Sequence, residues 1–249
     1  MDRIPDDPEA RREWLDRWAA EQDERLGAGH PAAPRRLRVS IARTIESQVD
    51  RLERLAERVF DRRLDTSGVV RWIPELADVD GVRYVPSAWH VLPRALRAIG
   101  AGEGDVFVDY GCGKGRIVHQ AARWPLKRVI GVEVSPVLAD VARRLVAAHR
   151  HEHRCKHVDI VVSDAAKFTV PDDLTIAYLF NPFRGRTLEG VLSGLVESID
   201  RRPRPLRLIY VSPVYGDQVL ATGRFRLVKW QRGGLRDVRI SRAAIFEGC

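Results

Sequence analysis

The sequence predicts an α/β fold: a doubly wound, mostly parallel seven-stranded sheet with a C-terminal antiparallel hairpin, preceded by an N-terminal α-helical cap. Three observations carry that expectation. Residues 105–115 read as a strand, a glycine turn and a helix start, with Val106-Phe107-Val108 leading to Asp109 and glycines at 111, 113 and 115. Beyond them, short apolar runs alternate with helical patterns, as parallel strands joined by crossover helices require. Residues 1–80 instead show helical periodicity, so the chain divides into an arm or cap at 1–80 and a main domain at 81–249.

The cap is read as two helices. In the first, from about Pro8 to Leu26, Trp14, Leu15 and Trp18 share a face, and Gly27, Gly29, Pro31 and Pro34 end it. The second, from about Leu37 to Leu64, places Ile41, Ile45, Val49, Leu52, Leu55, Val59 and Phe60 at steps of three and four, with acids and bases on its other faces. Its apolar stripe must be buried. It can pack on its own domain, cover the active edge as a lid, or form the seam of a homodimer.

In the main domain, Ser87 is the expected N-cap of a helix from Ala88 to Ile99. The glycine turn allows positive φ, keeps Cβ atoms away from a ligand, and aims the amides of a helix starting near Lys114 at the same place. A second run, Val129 to Val134, carries Glu133, which lies 24 residues after Asp109 at a strand end where an acid can accept from a ribose hydroxyl pair. Ser135-Pro136 opens the next helix. Strands follow at 158–162, ending before Asp164, and at 174–180, ending at Asn181-Pro182-Phe183. A helix at 185–200, a strand at 206–212, a short helix at 216–221 and two runs, 225–231 and 238–246, turning at Gly233-Gly234, complete the order.

The D-x-G-x-G-x-G stretch Asp109-Tyr110-Gly111-Cys112-Gly113-Lys114-Gly115, with Glu133, Asp164 and Asn181-Pro182-Phe183, resembles the class I S-adenosylmethionine-dependent methyltransferases from roughly Gly81 onward. Dinucleotide binders favour G-x-G-x-x-G and need no acid ahead of it. The resemblance implies S-adenosyl-L-methionine as cofactor and S-adenosyl-L-homocysteine as product. Gly111 and Gly113 would let the backbone approach the cofactor, with Cys112 a small residue beside it. Asp109 would brace the turn and the cofactor's amino group, Glu133 would bind the ribose, and Asp164 would accept from the adenine amino group. Tyr84 and Ser87 are candidates for closing over the methionine end.

Asn181-Pro182-Phe183 resembles the N-P-P-[YF] motif of enzymes that methylate adenine amino groups or glutamine amides. In that reading Asn181 and a carbonyl left free by Pro182 orient an acceptor N–H, and Phe183 supplies a flat wall. The second proline is missing here, which takes weight from nucleic-acid and glutamine acceptors and leaves a nitrogen on a small molecule or peptide. An oxygen acceptor would call for a base, with His90 or His119 as candidates. Two further readings remain open: a nucleic-acid base methyltransferase, and a noncatalytic cofactor-binding scaffold acting through its helical arm.

Composition narrows the setting. Of 42 Lys+Arg and 34 Asp+Glu, residues 1–80 hold 15 and 18, so the net charge of +8 is concentrated in the main domain, with 27 against 16. The bases are almost all arginine, and such an excess supports general anion attraction without defining a partner. No apolar run approaches the roughly 18 residues of a membrane span, and the polar start lacks a secretory pattern, so a cytoplasmic protein is expected. The tract His149–His157 is spaced like metal ligands. It leads into the amino end of a strand, however, and ligands in such sheets sit at carboxyl ends, so no metal is assigned.

Overall fold

The computed structural model describes Leu64, Thr66 and residues 87–180, 183–231 and 243–248. The two cap helices, Tyr84, Asn181, Pro182 and the turn at 233–234 lie outside the described residues.

The described chain runs α1 (Val91–Ala98), β1 (Val106–Tyr110), α2 (Arg116–Ala122), β2 (Arg128–Glu133), α3 (Pro136–Ala148), β3 (His157–Val162), β4 (Ile176–Phe180), α4 (Gly185–Arg201), β5 (Leu206–Val211), α5 (Gly216–Ala221), β6 (Phe225–Gln231) and β7 (Ala243–Gly248). The seven strands form one sheet in the order β3-β2-β1-β4-β5-β7-β6. Pairings among β1 to β5 are parallel, and β7 is antiparallel to both β5 and β6. The expected sheet and its antiparallel close are therefore present.

Every residue of β1 is buried, as suits a central parallel strand covered on both faces. Val106, Val108 and Tyr110 join one apolar cluster with Leu188, Leu192 and Leu195 of α4. Phe107 joins the other, with Leu92 and Leu96 of α1 and Ile117, Val118 and Ala121 of α2. A Cβ on Gly131 in β2 would lie 2.7 to 2.9 Å from Val118, Cys112 and Ile160, so the glycine is what lets α2 and the turn sit directly on the sheet.

Local starts differ from the sequence reading in two places. Ser87 is not a helix cap: α1 begins at Val91 with His90 in the cap position, and the Ser87 hydroxyl is engaged elsewhere. Helix α2 begins at Arg116, because Gly115 takes φ 85° and the helix cannot extend back through it. The last strand, described over Ala243–Gly248, runs on to Gly248, past the expected end at 246, and its expected start lies outside the described residues. Ser135 does occupy the cap position of α3, with Pro136 at its first turn.

Candidate functional site

The glycine turn leaves β1 and doubles back over the end of β2. Gly111, Gly113 and Gly115 have φ of 74°, 53° and 85°. The amides of Gly111 and Cys112 both donate to the Val132 carbonyl, at 2.8 and 3.0 Å. A Cβ at Gly115 would approach that of Ala142 on α3 to 2.9 Å, so this position needs glycine for both its dihedral and its space. Glu133, buried at the end of β2, accepts from the Gly113 amide at 2.8 Å through one oxygen and from the Ser135 amide at 3.0 Å through the other. It therefore braces the turn, in addition to the ribose contact expected of it.

Asp109 is 3% exposed, and its Oδ2 has no hydrogen-bond partner among the described residues. Burial, and next the charge of Glu133, push its carboxyl well above the ordinary aspartate range. The Cys112 thiol is buried and likewise pushed well up, by burial first and then by Asp109 and Glu133. Such a thiol stays protonated and is no nucleophile, which agrees with reading Cys112 as a small residue lining the turn.

Behind the turn lies a buried polar network. The Tyr178 hydroxyl, in β4, donates to Ser87 Oγ at 3.0 Å. Arg116 donates from Nη1 to the Ser87 carbonyl at 3.0 Å and from Nε to Thr66 Oγ1 at 2.9 Å, and its Cζ sits 5.0 Å from the centre of the Trp89 ring. His90, the candidate base, directly precedes α1 on the same segment.

Asp164 closes the carboxyl end of β3. It accepts from the Ala166 amide at 3.0 Å, capping a short 3-10 turn, with Lys167 Nζ 3.7 Å away. Phe183, after β4, is buried in the core with Tyr110 and Leu188, so its ring belongs largely to the interior. Arg184 and Arg186 are exposed at the start of α4. Ser212, at the carboxyl end of β5, takes φ 49°, a left-handed conformation unusual for a residue with a Cβ.

The tract at 149–157 makes a different cluster. His119 is 1% exposed, with Nδ1 3.1 Å from His153 Nε2 and its ring centre 5.2 Å from that of His149. Burial above all, then His153, lowers its pKa to about 4. His119 is thus an interior histidine set among histidines. Among the described residues, no group of three or more His, Cys, Asp or Glu is arranged to hold a metal ion.

The arginines entering β5 are structural. Arg204 donates to the carbonyls of Leu174, Ser198, Arg202 and Pro171 and to the Ser198 hydroxyl, while Arg201 pairs with Asp172 at 3.0 Å. Arg116 and Tyr178 were missed by the sequence reading. Arg116 carried one signal, a base in the first turn of a helix, where the macrodipole disfavours it; Tyr178 carried none beyond strand propensity.

This strand order, with a single reversed strand next to β5 and the glycine turn at the carboxyl end of β1, is a Rossmann-like arrangement, in which ligands bind at the carboxyl ends of the strands. Residues 107–198 match the family described as "Methyltransferase domain". A curated relative, a protein-lysine N-methyltransferase of Saccharolobus islandicus (strain REY15A), is 29% identical over 98 residues, which are 37% of this chain and 61% of that protein. The alignment thus spans less than two thirds of the relative's length. Among solved structures, a putative RNA methyltransferase from Pyrococcus horikoshii gives a TM-score of 0.49 at 15% identity, covering 74% of this chain and 93% of that one. Magnesium protoporphyrin IX methyltransferase from Synechocystis PCC 6803, with bound S-adenosylmethionine, gives 0.45 at 18% identity over 63% and 74%.

Proposed function

We propose that this chain transfers a methyl group from S-adenosylmethionine to a nitrogen of a small-molecule or peptide acceptor, leaving S-adenosylhomocysteine. The observation that carries the cofactor assignment is Asp109. It is a buried carboxylate with an unpartnered oxygen, beside a turn whose three glycines have positive φ. A carboxylate so placed is stabilised by a cation, and the methionine end of this cofactor brings an ammonium. Glu133 and Asp164 stand at the carboxyl ends of the next two strands, and each retains acceptor capacity for a ribose hydroxyl or the adenine amino group. No helix among the described residues is long and apolar enough to cross a membrane.

When bound, the cofactor supplies a methyl group whose bond to sulfur breaks, the electron pair staying on sulfur, as a carbon–nitrogen bond forms. The chain's own residues align the neutral acceptor nitrogen and exclude water during transfer, and the proton of the methylated nitrogen then passes to solvent. In this reading Asn181, next after β4 in the sequence, would accept from an acceptor N–H through its amide oxygen, and Pro182, which has no N–H, would leave a neighbouring carbonyl to do the same. Support for nitrogen comes from this Asn-Pro-Phe sequence and from the lysine named for the curated relative.

Calorimetry with S-adenosylhomocysteine tests the cofactor. The wild type is expected to bind and Glu133→Ala to lose binding; no heat from the wild type overturns the assignment. Methyl-labelled cofactor incubated with fractionated extract then tests the acceptor. Label on a peptide or small-molecule nitrogen supports it, and label confined to polynucleotide refutes it.

A further inference from the structure

We propose that Arg116 and Tyr178 are positioning residues that hold the main chain at 87–89 beside Asp109, and so set the affinity for the methionine end of the cofactor. The inference rests on the cofactor reading above. It begins from the adverse placement of Arg116, the first residue of α2, where the helix macrodipole is positive, with only 3% of its surface exposed. A buried guanidinium needs compensation by several polar contacts. Two such contacts fall on one segment: the Ser87 carbonyl accepts from Nη1, and the Trp89 ring covers the cation. The Nε bond to Thr66, fifty positions earlier in the chain, ties a second piece of backbone to the same point.

Tyr178 fastens the segment from the opposite side. Its hydroxyl is fully buried and donates to Ser87 Oγ. Tyr178 pairs in register with Asp109 across the parallel strands β4 and β1, and burial, with the Asp109 charge adding to it, holds the phenol protonated. Ser87 is therefore held through its carbonyl by α2 and through its hydroxyl by β4, the latter from the residue that pairs in register with Asp109. Glu133 and Asp164, which would serve ribose and adenine, stand at the ends of β2 and β3, whereas this network joins β4 and the start of α2 to the segment at 87–89. Loosening 87–89 should weaken recognition of one end of the ligand and spare the other. A lysine at 116 keeps the charge but lacks the planar fork needed to reach Ser87 and Thr66 together while stacking on Trp89.

The experiment compares S-adenosylhomocysteine with 5′-methylthioadenosine, which shares adenine, ribose and sulfur but has no amino-acid end. Calorimetry is run on the wild type, Arg116→Lys and Tyr178→Phe, with amide hydrogen exchange followed at 87–90. Both variants are expected to weaken S-adenosylhomocysteine by about tenfold or more, the loss of roughly one charge-assisted hydrogen bond. They should leave methylthioadenosine within about twofold, since it makes no contact that depends on that bond, and speed exchange at 87–90. Unchanged S-adenosylhomocysteine affinity, or equal losses for both ligands, overturns the proposal. Should Arg116→Lys fail to fold, Tyr178→Phe, which removes one hydroxyl from an intact ring, decides alone. If the wild type binds neither ligand, the cofactor reading fails; unchanged exchange at 87–90 in both variants defeats the positioning role separately.

Discussion

His119 Nδ1 and His153 Nε2 lie 3.1 Å apart, joining the middle of α2 to the loop that feeds β3. The pair couples the helix behind the cofactor turn to the edge of the sheet, and both rings have lowered pKa values, chiefly through burial. His119 is faced by His153, Glu152, His149 and Arg123.

That arrangement makes stability depend on pH. The folded pKa of His119 is about 4, against an ordinary value near 6.5, so the unfolded chain takes up its proton first. The stabilisation is complete above about pH 6.5 and is lost as pH falls toward 4, with an upper limit on the order of 3 kcal/mol. Denaturant titrations at pH 7.5 and 5 should show it. The drop should shrink in His119→Leu.

Asp109→Asn should separate stability from binding. Because the folded carboxyl is raised, chiefly by burial and then by Glu133, its charge at neutral pH opposes folding. The stability it contributes is present below the ordinary aspartate pKa and disappears as pH rises through the folded value. The asparagine variant should therefore melt no lower than the wild type at pH 7, yet bind S-adenosylhomocysteine at least about tenfold more weakly, one buried charge-assisted contact being lost. Differential scanning calorimetry and titration calorimetry on the same samples check both.

Gly131→Ala should destabilise the domain by crowding Val118, Ile160 and Cys112 of the glycine turn. Its Cβ would meet three side chains at under 3 Å, and overpacking of this kind costs about 1–3 kcal/mol. Equilibrium unfolding in urea measures the loss.

Arg204→Ala should lower stability by about 2 kcal/mol, because several carbonyls lose donors at once. Lying at the amino end of β5, the change should leave S-adenosylhomocysteine affinity unaltered. A weakened affinity in a folded variant would contradict that assignment.

Much of the domain was legible from residue order, because the relevant signals are local. Gly111, Gly113 and Gly115 announce positive φ, since a Cβ is disfavoured there, and all three adopt it. Strand alternation and helix spacing placed β1 to β6 within a few residues. The helix starts were read less well. Ser87 has the chemistry of a cap, but a hydroxyl bonds whichever partner the fold brings near, and here that partner is Tyr178, 91 positions away.

The sequence by itself determined the strand–glycine–helix turn, the acids at strand ends and the reversed final strand, because each follows from backbone sterics and side-chain period within a short window. Only the tertiary structure decided that Asp109 is buried with an unpartnered oxygen, that Glu133 braces the glycine turn, that His119 belongs to a histidine cluster, and that Arg116 and Tyr178 hold Ser87 between them. Those properties depend on desolvation and on contacts between groups 20 to 91 positions apart in the chain, which no local pattern encodes.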